Sequence, residues 1–126
     1  MTTRPPQPKK GLNGLSFLVV EDETIISLLL EDMLTSLGAA SVWHASAVNE
    51  ALASLKERRP DAVLLDVNLS GEAAYPVAEL LEKEGIPFVF STGYGVSGLS
   101  PRWNGKPTIQ KPFTPEALDT ALSAVL

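Results

Sequence analysis

The chain has 126 residues, with 10 Lys and Arg against 15 Asp and Glu and a net charge of −5. That length suits one domain with one hydrophobic core. The acidic balance argues against nucleic acid or an anionic membrane as the main partner, because phosphate binding needs a basic face. The absence of cysteine removes disulfides, thiolate metal sites and thiol nucleophiles, and fits a reducing, cytoplasmic setting.

Residues 1–13 carry prolines and basic residues but no apolar run behind them. They read as a flexible tail rather than a secretory signal, with the folded domain at 14–126. No later stretch approaches the ~18 uninterrupted apolar residues of a membrane helix. Leu15 to Val20 is a short apolar run, as expected for a strand covered on both faces, and Glu21, Asp22 and Glu23 break it. From Thr24 to Leu37 the apolar residues Ile25, Leu28, Leu29, Met33 and Leu37 recur at helical spacing, and Gly38 is placed to end that helix.

Ala40 to Trp43 reads as a second strand. Ser46 is a candidate N-cap for a helix whose apolar stripe is Val48, Ala51, Leu52 and Leu55, stopped by Pro60. Ala62 to Leu65 is a third strand, closed by Asp66, and Ser70-Gly71 makes a turn. A helix is predicted from Tyr75 to Glu84, ended by Gly85, and Phe88 to Phe90 is the fourth strand. The Gly- and Pro-rich stretch from Gly93 to Pro107 holds at best a short helix, and Trp103 within it reads as a lid over the core. Thr108 to Gln110 is a fifth strand. Thr114 and Pro115 then start a final helix with Leu118, Leu122 and Val125 inward.

Five strands alternating with helices call for an α/β fold, a doubly wound parallel sheet with helices on both faces. Ligands of such sheets bind beyond the carboxyl ends of the strands. At those ends stand Glu21 and Asp22 after the first strand, Asp66 after the third, Ser91 and Thr92 after the fourth, and Lys111 after the fifth. Three clustered carboxylates repel one another, and a divalent cation relieves that repulsion. An all-oxygen donor set selects a hard ion, with Mg²⁺ as the default. Lys111 and the Thr92 hydroxyl suit phosphoryl oxygens, Gly93 leaves room for them, and Asp66 is the natural nucleophile for an acyl phosphate.

Leu18 to Glu23, Val63 to Leu69, Thr92, and Lys111-Pro112-Phe113, in this order, resemble the landmarks of the response-regulator receiver domain. The resemblance implies a CheY-like sheet in the flavodoxin-like order 2-1-3-4-5, with phosphorylation of Asp66 in a Mg²⁺-dependent reaction. It implies metal ligation by Asp22 and Asp66, by Glu21 through water and by the backbone carbonyl of Asn68. Thr92 and Lys111 would hold the phosphoryl oxygens, and the Lys111–Pro112 bond would be cis. The donor would be phosphohistidine on a sensor histidine kinase or a histidine phosphotransfer protein. The chain would catalyse only its own phosphorylation and dephosphorylation. No residues follow the last helix for an output domain, so the signal is expected to leave through contacts with a downstream protein.

The chain departs from the common receiver pattern before Lys111, where Pro107 to Gln110 includes no aromatic residue. Phe90-Ser91-Thr92-Gly93-Tyr94 resembles the F-[AS]-T-G-Y signature of stand-alone receivers, several of which act in stress response and have a short or irregular fourth helix. Tyr94 is the switch candidate on that reading. Three rivals are weighed against it. A flavodoxin-like cofactor binder needs a phosphate loop rich in Ser, Thr and Gly where Glu21-Asp22-Glu23 stands. An aspartyl-phosphate phosphatase needs a second acid where Asn68 stands. A degenerate receiver serving only as a protein-binding module is the alternative that the missing aromatic keeps open. His44, the only histidine, is assigned no chemical role.

Overall fold

The computed structural model describes residues 12–93, 99–103 and 105–126. Five parallel strands, β1 (Ser16–Val20), β2 (Ser41–Ala45), β3 (Ala62–Asp66), β6 (Phe88–Thr92) and β7 (Thr108–Gln110), form one sheet in the order β2-β1-β3-β6-β7. A small antiparallel pair, β4 (Asn68–Leu69) and β5 (Glu72–Ala73), stands apart from it. Four α-helices, α1 (Thr24–Ser36), α2 (Val48–Glu57), α3 (Tyr75–Glu84) and α4 (Pro115–Val125), connect the strands. This is the doubly wound order that the resemblance implies. Between β6 and β7 the described residues contain only a 3₁₀ turn, Pro101–Trp103.

The alternation of side chains along each strand splits the core in two. Leu18, Val20, Val63, Leu65, Phe88 and Phe90 face α2, α3 and Trp103. Phe17, Val19, Leu64, Val89 and Ile109 face α1 and α4. Every residue of β3 and β6 is buried, which explains why these strands read as continuous apolar runs rather than alternating ones. Gly85 ends α3 in the left-handed conformation at φ 70°. Thr114 caps α4 by accepting the Ala117 N–H at 3.1 Å, with Pro115 in the first turn.

Several expectations need correction. Helix α1 buries Ser27, Leu30 and Leu34, whereas Ile25, Leu28 and Leu29 are 81%, 58% and 49% exposed. The helix is apolar on most of its circumference, so spacing alone did not select the face that meets the sheet. Ser46 is not the N-cap of α2. Ala47 holds that position, and the Ser46 backbone N–H and hydroxyl both donate to Oε1 of Glu50. Strand β2 runs on to Ala45 and β6 to Thr92. Leu12, placed in the tail by sequence, is fully buried in the core beside Phe17 and Leu34. Trp103 is more than a lid: it is 1% exposed, lies flat against Tyr75 with ring centroids 6.0 Å apart and meets Phe90 edge-on. No helix among the described residues is long and apolar enough to cross a membrane.

Candidate functional site

The parallel register brings the strand ends level. Val20 lies beside Ala45 and Leu65, Asp66 beside Ser91, and Thr92 beside Gln110. The residues that continue β1, β3, β6 and β7 therefore meet around one open cleft of about 710 Å³. Asp22, Asp66, Asn68, Thr92, Gly93 and Lys111 all line it. The backbone N–H of Lys111 donates to the Thr92 carbonyl at 2.9 Å, and the Lys111–Pro112 bond is cis. Tyr94 lies outside the described residues.

Glu21 sits behind this cleft, 3% exposed. Lys111 Nζ donates to Glu21 Oε1 at 2.8 Å and to Asp66 Oδ2 at 3.1 Å. One ammonium thus ties together the ends of β1, β3 and β7. Burial, reinforced by the charge of Asp66 and opposed by the Lys111 hydrogen bond, pushes the Glu21 carboxyl up to about 7. Burial works against the Lys111 ammonium as well, but its bonds to Glu21 and Asp66 outweigh that and raise its pKa above the ordinary lysine value. Asp22 is held below the usual carboxylate range, chiefly by the hydroxyl of Ser70.

Carboxylate oxygens of Glu21, Asp22 and Asp66 all lie within 4.8 Å of one another. Three acids facing a single lysine leave an excess of negative charge in a partly dry site, which a cation would relieve. The donor set is all oxygen and fits a hard divalent ion.

Two contributors were not legible in the sequence. Ser70 donates its hydroxyl to Asp22 Oδ2 at 2.7 Å from the turn between β4 and β5. Tyr75 lines the same cleft while its hydroxyl accepts the Ser100 N–H at 2.8 Å. The Asn68 side chain, given no part by sequence, accepts the Gly71 N–H at 2.8 Å, and its backbone N–H donates to Asp66 Oδ1 at 3.2 Å. His44 is not idle either. Its Nδ1 pairs with Ser27 Oγ at 2.5 Å and its Nε2 with Glu31 Oε1 at 2.6 Å, joining β2 to α1.

Comparison with known proteins agrees with this picture. A probable transcriptional regulator, ycf27, of Porphyra purpurea is 34% identical over 115 residues, covering 86% of this chain and 46% of that protein. The chain therefore spans about half the length of the curated relatives it matches. The solution structure of SdrG from Sphingomonas melonis Fr1 is 42% identical, covers 89% of this chain and 96% of that one, and superposes with a TM-score of 0.80. A second solution structure, of the BeF3-activated conformation of SdrG, is also 42% identical, covers 90% of this chain and 98% of that one, and has a TM-score of 0.78. The PhyR stress response regulator is 28% identical, covering 90% of this chain and 45% of that one, at a TM-score of 0.73. The profile of the response regulator receiver domain matches residues 17–123, so the chain belongs to that family.

Proposed function

We propose that the chain accepts a phosphoryl group on Asp66 from a phosphohistidine-bearing protein, as a step of a two-component phosphorelay, and passes the signal on through protein contacts. The observation that carries this reading is the position of Asp66. It closes the central strand, Lys111 lies 3.1 Å from its Oδ2, and the acids of β1 stand beside it. In the reaction an Asp66 carboxylate oxygen attacks phosphorus as the P–N bond of the donor breaks, and the electron pair of that bond leaves on the imidazole nitrogen, which takes up a proton from solvent. Asp22, Asp66 and the Asn68 backbone carbonyl would hold Mg²⁺, with Glu21 behind them. When bound, Mg²⁺ supplies positive charge next to the transferring group. Lys111 neutralises a phosphoryl oxygen, and the Thr92 hydroxyl and the open space at Gly93 receive the others. The chain has no substrate other than its own phosphate in this scheme, so it acts only on itself.

Support for a phosphoryl-dependent state comes from SdrG, which has a BeF3-activated conformation; BeF3 is a tetrahedral stand-in for a phosphoryl group. The similarity to the PhyR stress response regulator supports stress signalling as the setting. The exposed apolar face of α1 adjoins Asp22, and it is there that we place the docking of the phosphohistidine donor.

The test is labelling by a small acyl-phosphate donor such as acetyl phosphate. Wild-type protein should gain one phosphoryl group per chain when Mg²⁺ is present, and Asp66→Ala should gain none. A wild-type protein that stays unlabelled under these conditions would leave only a protein-binding module.

A further inference from the structure

The turn between β4 and β5 is built against the local preference of its sequence. Among the described residues, Ser70 is the one non-glycine residue with positive φ, at 54°. Glycine or asparagine takes that conformation with less strain. The serine there makes a contact that glycine could not: its hydroxyl donates to Asp22 Oδ2 at 2.7 Å, across 48 residues of sequence. The same turn is fastened at its other end, where the Asn68 N–H donates to Asp66 Oδ1 at 3.2 Å. It is braced internally by the Gly71 N–H on Asn68 Oδ1 at 2.8 Å. The hairpin therefore bridges two acids of the cleft, one on β3 and one after β1.

We propose that Ser70 is a positioning residue for the cation site, its hydroxyl holding Oδ2 of Asp22 so that the remaining oxygen is presented to the ion. This rests on the reading of the acids as a Mg²⁺ site. Asp22 is only partly buried, and without the bond its carboxylate would have to be ordered when the ion arrives. Groups that hydrogen-bond to metal-ligating side chains set ligand orientation, and their loss typically weakens metal binding by roughly 10–100-fold. Ser70 also connects the ion to the backbone. A change in how Asp22 is ligated would be felt at the β4–β5 turn, on the rim of the cleft that a partner would see.

Two substitutions separate the hydroxyl from the strained backbone. Ser70→Gly keeps the left-handed conformation without steric cost and removes the donor. Ser70→Asn also tolerates that conformation and restores a donor, its side-chain amide. Calorimetric titration of the intact chain with MgCl2 should show binding about tenfold weaker in Ser70→Gly than in wild type, with most of the loss recovered in Ser70→Asn. The thermal midpoint in EDTA should change little in Ser70→Gly, because relief of backbone strain offsets the lost hydrogen bond. Wild-type affinity in Ser70→Gly, or equal weakening in both variants, would overturn the role of the Ser70 donor while leaving the Mg²⁺ site in place. A wild-type chain that takes up no Mg²⁺ would overturn the site itself, and this inference with it.

Discussion

Glu21 is a carboxylate in a setting that suits its neutral form. It is 3% exposed, and burial raises its pKa from 4.5 to about 7 in the metal-free protein. A carboxyl whose folded value lies above its unfolded value binds protons more readily when folded. Its stabilising contribution is therefore full below about pH 4.5 and is lost as the pH rises through about 7. The raised Lys111 pKa acts in a more alkaline window and does not offset this. Glu21→Gln removes the titration. In EDTA, urea unfolding should show wild type losing stability relative to Glu21→Gln as the pH rises from about 5 to about 8. Parallel pH profiles for the two proteins would show that Glu21 is solvated and ionised in the fold. At this scale, Asp66 was legible because it closes an apolar strand, where an ionisable side chain is conspicuous, and Lys111 because it stands between the short fifth strand and Pro112. Ser70 was not, because a serine in a turn has an ordinary local explanation and its partner is 48 residues away.

Helix α1 shows what periodicity leaves undecided. Ile25, Ile26, Leu28, Leu29, Leu30, Met33 and Leu34 spread apolar surface around the helix. The sheet takes Leu30 and Leu34, and the hydroxyl of Ser27 is buried with them because His44 on β2 supplies its partner. What is left outside is Ile25, Leu28 and Leu29, with Leu28 next to Glu21 and Asp22. Their exposure has a consequence at the scale of the element. Leu28→Asp should slow phosphoryl transfer from a phosphohistidine protein by about tenfold, the effect of losing ~1.4 kcal/mol at an interface. Labelling by acetyl phosphate, which needs no docking face, should be unchanged. Equal slowing with both donors would show that the substitution damages the cleft rather than a docking surface. The caps follow the same logic. Thr114 is recognisable because Pro115 follows it, whereas Ser46 lies one residue too early and is engaged by Glu50 instead.

At the scale of the whole molecule, the cleft and the segment before β7 share one block of aromatic packing. Tyr75 lines the cleft, stacks on Trp103 at an interplanar angle of 11° and accepts the Ser100 N–H. Glu82 on α3 pairs with Lys106 at 2.7 Å and Arg102 at 3.2 Å on the outside of the same segment. Trp103→Ala should therefore lower stability by about 3–5 kcal/mol in urea unfolding, the range for emptying an aromatic site in a core. A loss under about 1 kcal/mol would mean that the indole is dispensable and the segment packs without it. The alternation of strands and helices, the apolar strands β3 and β6 and the acids and lysine that close the strands were determined by the sequence itself, because each is a local pattern of polarity with a fixed period. Which face of α1 is buried, the inclusion of Leu12 in the core, the burial of Trp103 and the bonds of Ser70 and His44 were decided only in the tertiary structure. Each depends on surfaces brought together from distant parts of the chain. The acids and the lysine of the cleft could thus be read from residues in order, but the groups that hold their surroundings in place could not.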